Sequence, residues 1–171
     1  MKIIFFLFSL ACIPSLSQAQ FFPTSEAQAD SLYQANIKKS RIRGVYIPKN
    51  LDEVFEELKS LSTPDATTKF ALGEEDLVAE RLHFGIGRWM RVNWNFEQGS
   101  RIVQHLKDLG IYRINDMSDF LIRVYHRHLN KRPLGIEELA EKYDRAWNDE
   151  KLKKSKDGIL ISSKKKSPEE K

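Results

Sequence analysis

Residues 74–96 read EEDLVAERLHFGIGRWMRVNWNF, and this stretch decides the fold. Val78, Leu82, Ile86, Trp89, Val92 and Phe96 recur at three- and four-residue steps. That spacing lays one apolar stripe along a helix, whereas a strand would need alternation. Glu74 to about Trp94 is therefore expected to form the central helix. Gly85 and Gly87 lie inside it, and each costs roughly 1 kcal/mol relative to alanine in a helix interior. Either a closely packed neighbour or a ligand groove must use the space they leave, and packing is the leading reading.

Working outward, the flanking segments carry helix signals of their own. Asn50 with Glu53 three residues on reads as an N-cap with its acid, and Leu51, Val54, Phe55, Leu58 and Leu61 keep helical spacing. Thr63-Pro64 opens another helix, because proline fits the first helical position; Gly73 is expected to end it. Ser100 can cap a helix that buries Ile102, Val103, Leu106 and Leu109 and stops at Gly110. Asn115 or Asp116 starts a helix with apolar residues on both sides, so it should be buried around most of its circumference. Pro133 closes it, and a last helix carries Ile136, Leu139, Ala140, Tyr143 and Trp147. Strand signals are confined to Val45–Ile47 and Ile159–Ile161. The fold class is all-α: a compact, irregular bundle of about five helices over residues 45–149. Residues 20–44 form a polar, partly helical lead-in.

The two ends differ in kind from this body. Residues 1–19 run from Lys2 through an apolar stretch to Ser17-Gln18-Ala19, the order of a secretory signal peptide with a small-x-small cleavage site. Pro14, Ser15, Ser17 and Gln18 interrupt the run short of the roughly 20 apolar residues that a membrane span requires. Cys12, the one cysteine, lies within it, and Ser9 stands where a lipoprotein site needs an aliphatic residue, which disfavours a lipid anchor. Cleavage after Ala19 leaves a cysteine-free chain suited to an oxidising compartment, so the expected location is periplasmic or secreted. At the other end, residues 150–171 are lysine- and serine-rich, the composition of a disordered tail. Of the formal charge of +4, Lys151–Lys171 contributes 8 − 3 = +5, while Gln20–Glu150, with 19 basic and 21 acidic residues, contributes −2. The basic balance belongs to the tail, and with no recognition motif in the body nucleic acid is a poor partner.

Chemistry-bearing residues crowd into 83–101. On a helix, Arg81, Phe84, Arg88 and Arg91 share a face, and Arg101 stands near a helix start where Ser100 and free backbone N–H groups add to an anion site. The bland alternative is a solvated face whose arginines pair with Asp76, Glu80 or Glu97. Glu80-x-x-His83 has di-metal spacing but only one copy, so no metal is expected. His126-x-His128 puts two imidazoles on opposite sides of a helix; His128 is read as a hydrogen-bonded core residue and His105 as solvent-facing. Gly-x-Ser-x-Gly, phosphate-loop and dinucleotide fingerprints are missing, so no cofactor is implied.

Several short motifs in order give the chain a resemblance. Ile47-Pro48, His83-Phe84-Gly85-x-Gly87-x-Trp89-x-Arg91 with Asn93-Trp94, Gly99-Ser100-Arg101, Leu109-Gly110-Ile111, Asp116-Met117-Ser118 and Tyr125-His126-Arg127-x-Leu129-Asn130 are the residues concerned. Ile47 to Trp147 resembles a bacterial family known only as a domain of unknown function. It departs from that pattern at Val92 and around Asn95–Gln98, where a different loop is expected. The resemblance implies a helical domain and brings no activity, cofactor or catalytic residue.

The functional expectation is a non-enzymatic interaction module that binds an envelope protein, a peptide or an anionic glycan. The candidate contact residues are His83, Arg88, Arg91, Asn93, Trp94, Ser100, Arg101, His126 and Arg127. Two alternatives stand beside it. An envelope-polymer hydrolase with His83 or His126 as general base requires a pocket holding a histidine within reach of an acid. A purely structural domain requires paired arginines and no cleft.

Overall fold

The computed structural model describes residues 23 and 25–164. The expected export segment and Cys12 lie outside them. The described chain is helical apart from one small hairpin. Its elements are α1 (Glu26–Asn36), β1 (Arg41–Ile42), β2 (Val45–Tyr46), α2 (Leu51–Ser60), α3 (Pro64–Leu72), α4 (Glu75–Leu82), a π-helical turn (His83–Gly87), α5 (Arg88–Asn93), α6 (Arg101–Asp108), α7 (Ile114–Leu129) and α8 (Ile136–Lys164).

Local chemistry accounts for most boundaries. Asn50 accepts from the Glu53 N–H at 3.0 Å, and Thr63 from the Ala66 N–H at 3.2 Å with Pro64 opening α3. At the end of α6, Gly110 takes φ +86°, the Gly110 N–H reaches Lys107 O and the Ile111 N–H reaches Leu106 O, both at 2.9 Å. This 5→2 and 6→1 pattern satisfies the last carbonyls, and it needs the left-handed conformation that glycine adopts freely.

The bundle is organised around α7, which buries Phe120, Leu121 and Val124 on one side and Ile122, Arg123 and His126 on others. Helices α2, α3, α4, α5 and α8 and the π turn all pack on it. The central helix is thus α7, where the sequence reading gave that place to 74–94. The latter is not one helix either. Gly85 at φ −84°, ψ −106° breaks the ladder, and the π turn re-aims the chain between α4 and α5. The two glycines there have different uses. A Cβ on Gly87 would lie 3.3 Å from Leu82 O and 3.5 Å from Ile122 Cδ1, so Gly87 serves close packing on α7. A Cβ on Gly85 would meet nothing nearer than Leu82 Cδ2 at 4.0 Å. Packing explains one glycine and not the other.

The polar lead-in is bound to the body. Tyr33 donates to Gln104 Oε1 at 2.9 Å and covers Gly99, whose φ of +82° and missing side chain admit the ring. β1 and β2 pair antiparallel with Arg41 opposite Tyr46. Their two-residue turn, Arg43-Gly44, has positive φ at both positions (51° and 80°), the geometry that suits the twist of a tight hairpin. At the other end α8 runs to Lys164, beyond the tail boundary at 150 read from the sequence. Lysine and glutamate are good helix formers, and Arg145–Glu141 shows an i,i+4 pair on this helix at 3.2 Å.

Candidate functional site

The arginines expected to share one face fall into two sites of opposite character. The first is an open cleft of about 660 Å³. The hairpin turn brings Arg43 to it, the π turn brings Phe84, α5 brings Arg88 and Arg91, and the turn after α5 brings Asn95. Three guanidinium groups meet there against one lining acid, Glu97. Each arginine is held differently. Arg91 is half-buried and donates to Ser118 Oγ at 2.7 Å and to His83 O at 3.3 Å. Arg43 donates to Val92 O at 2.7 Å and to Asn95 Oδ1 at 3.4 Å. Asn95 is fixed in turn by a 2.9 Å bond from its Nδ2 to Gly99 O. Arg88 is exposed, and among the described residues none of the three is paired with a carboxylate. Burial and the neighbouring Arg88 charge lower the pKa of Arg91, though a guanidinium stays protonated at any physiological pH. Phe84, 80 % exposed, and Val92, 54 % exposed, add apolar surface beside the charge.

The second site is a network of ion pairs that closes on itself, joining α4, α7 and α8 beside a polar cleft of about 420 Å³. Arg127 and Arg123 are each only 9 % exposed. Arg127 grips Glu75 through Nε at 3.0 Å and Nη2 at 2.9 Å and donates to Leu134 O at 3.0 Å. Arg123 meets Asp119 at 2.7 Å and Asp76 at 2.5 Å, and Tyr143 donates to Asp119 at 2.6 Å. Burial pushes the Glu75 pKa up, but the Arg127 hydrogen bonds and the surrounding guanidinium charges win and hold it below the usual range. Every charge here already has its partner.

The predicted contact residues are therefore divided. Arg88 and Arg91 line the open cleft, with His83 beside it contributing its carbonyl to Arg91. Arg101 is occupied structurally: Nε donates to Ile47 O at 2.5 Å, Nη2 lies 3.4 Å from Glu53, and the guanidinium sits 5.0 Å over the Tyr46 ring. Trp94 and Ser100 are fully buried and present no surface to a ligand. Trp94 packs edge-on to Trp89 at 5.7 Å, and the Asn93 amide is used on Trp89 O at 2.9 Å. Ser100 marks the start of α6, but its hydroxyl makes no cap hydrogen bond.

The histidines exchange roles relative to the sequence reading. His126 is buried with Nε2 2.9 Å from Gly73 O, because the α3–α4 junction covers that side of α7. His128 is exposed and stacks on Phe55 at 4.2 Å. His105 is half-buried, and desolvation lowers its pKa. Among the described residues neither His83 nor His126 has a carboxylate within hydrogen-bond reach, and no group of three or more His, Cys, Asp and Glu is placed to hold a metal ion.

Sequence reasoning missed Arg43, which it assigned to the lead-in. The Arg-Gly turn was its one local signal, and only the hairpin's return onto α5 gives it meaning.

Most of these positions lie in a segment that is similar to a known family. Residues 47–129 match the family described as a domain of unknown function (DUF6794). The matched segment spans α2 to α7 and so contains Arg88, Arg91 and the buried network's Glu75, Arg123 and Arg127; Arg43 and α8 lie outside it. No curated protein matches the chain, and no solved structure does.

Proposed function

We propose that this chain is an exported, non-enzymatic binding module of a bacterial envelope or its exterior, and that the cleft between the hairpin turn and α5 holds an anionic group of its ligand. The observation that carries the reading is the gathering of Arg43, Arg88 and Arg91, without carboxylate partners among the described residues, around one cleft. Like charges so placed repel one another, and a bound carboxylate, sulfate or phosphate removes that repulsion while gaining charge-assisted hydrogen bonds. Exposed Phe84 and Val92 supply the apolar contact that a sugar ring or an aliphatic side chain would use. The ligand is accordingly an anionic glycan or an acidic segment of a protein. The signal-like order of Met1–Ala19 supports export, and the resemblance to a bacterial family supports the origin.

The reading is tested by calorimetric titration of the purified protein with oligogalacturonate and, separately, with a glutamate-rich peptide, at low and at high salt. Binding of one of them that weakens as salt rises, and that Arg88→Ala removes, is the expected result. The arm that binds distinguishes glycan from peptide. Binding of neither, or binding indifferent to Arg88, would sink the proposal.

A further inference from the structure

The π turn, through Ile86, also borders another cavity, of about 440 Å³, between α2, α3 and α4. Its walls are Leu58, Phe70, Val78, Leu82, Ile86 and Ile122. The charged residues that line it are Lys69 and Arg81, both exposed cations without an ion pair among the described residues, and no acid lines it. Ser62, whose hydroxyl is already spent on Leu58 O at 2.8 Å, and Thr67 are among its few polar neighbours. Tyr125 also lines it, 4 % exposed, and its buried hydroxyl makes no well-formed hydrogen bond, with Thr67 beside it. Helix α3, which forms one wall, contains no buried residue of its own; Phe70 packs it against Tyr125 (5.3 Å) and His126 (5.7 Å), and Asn130 donates to Ala71 O at 3.0 Å.

We infer that this groove is a binding site for a single-chain amphiphile with an anionic head, of the long-chain carboxylate class. An apolar trough of this size with few polar groups at its edge is the usual form of a small-molecule site. The acyl chain would lie against Phe70, Val78, Leu82 and Ile86, and the carboxylate would meet Lys69 and Arg81 at the rim. A peptide is the poorer occupant, because its backbone amides would enter a wall that offers them almost no hydrogen bonds, and each unmet amide costs. The chain's own apolar segment Gly158–Ile161 is also the wrong charge, since lysines flank it on both sides and would face the two rim cations. The site is separate from the arginine cleft and does not depend on it.

The test is calorimetric titration of the purified full chain with hexadecanoate below its aggregation concentration. Hexadecyl maltoside and hexadecyltrimethylammonium serve as neutral and cationic controls of equal chain length. We expect one hexadecanoate per chain, with both controls bound at least tenfold more weakly. Lys69→Glu with Arg81→Glu, both exposed positions, should abolish the preference for the anionic head. Ala66→Trp, which fills the groove from its exposed wall, should abolish binding while circular dichroism stays that of the parent. Arg88→Ala should leave hexadecanoate binding unchanged, so that failure here and failure at the arginine cleft are told apart. No binding, equal binding of the neutral control, or undiminished binding by a folded Ala66→Trp protein would each overturn the inference.

Discussion

Two groups of arginines, one on α7 and one gathered by the hairpin turn and α5, show how the same side chain serves opposite ends. Arg123 and Arg127 are buried and surrounded by Glu75, Asp76 and Asp119. Arg43, Arg88 and Arg91 are gathered in an open cleft, and their hydrogen bonds go to carbonyls, an amide and a hydroxyl. The first group has its charge met internally by carboxylates. In the second, neutral partners fix Arg43 and Arg91, and among the described residues no carboxylate pairs with any of the three. Position in a helix does not separate the groups; what faces the guanidinium does.

The largest effect should come from breaking the closed group. Glu75→Ala leaves Arg127 buried without its main acid, and removing one partner of a buried ion pair costs about 3–5 kcal/mol. Urea denaturation should show that loss with little change in slope. If Glu75→Ala proved neutral, the network would not be what ties α4 to α7.

In the open group, Arg91→Ala should act on both stability and binding. It removes the bonds to Ser118 and His83 O, a cost of roughly 1–3 kcal/mol, and it should weaken anion binding as well. Thermal unfolding and calorimetry on the same variant measure the two effects.

A smaller effect concerns Glu53, which anchors the end of the hairpin to α2. The hydrogen bond from Tyr46 at 2.7 Å, with those from Lys49, holds its carboxyl down at about 2 from an ordinary 4.5. A depressed acid stabilises the fold fully above its unfolded pKa, and that contribution is lost as pH falls through the folded value. The stability gap between the protein and Glu53→Gln should therefore be constant from pH 7 to about 5 and shrink between about pH 4.5 and 2. A gap that widened on acidification would contradict the assignment.

Much of the fold was legible in the sequence because its signals are local. Asn50, Thr63-Pro64 and Gly110 act through bonds to residues a few positions away, and the sequence reading placed these helix ends correctly. The helical class likewise follows from the 3.6-residue period. What could not be read was relational. The break at Gly85 looks, in sequence, the same as a packing glycine, and only the open space beside it separates it from Gly87. The burial of His126 in place of His128 depends on the α3–α4 junction crossing one side of α7. For the candidate site, Arg88 and Arg91 were found from their spacing. Trp94, Ser100 and Arg101 share the neighbourhood in sequence, yet the fold turns them into the core or onto Glu53 and Ile47 O. Arg43 was missed because long-range placement by a hairpin leaves no periodic trace.

The most direct test of the contrast between the groups is the single variant Arg88→Ala, assayed for melting temperature and for binding to the anionic probe. Arg88 is exposed and makes no ion pair among the described residues, so its removal should change stability by no more than about 0.5 kcal/mol. Its charge-assisted hydrogen bonds to a ligand should be worth roughly 1.5–3 kcal/mol, about a ten- to hundredfold loss of affinity. An unchanged melting temperature with that loss is the predicted result. A destabilised protein, or a stable one that binds as before, would contradict the account.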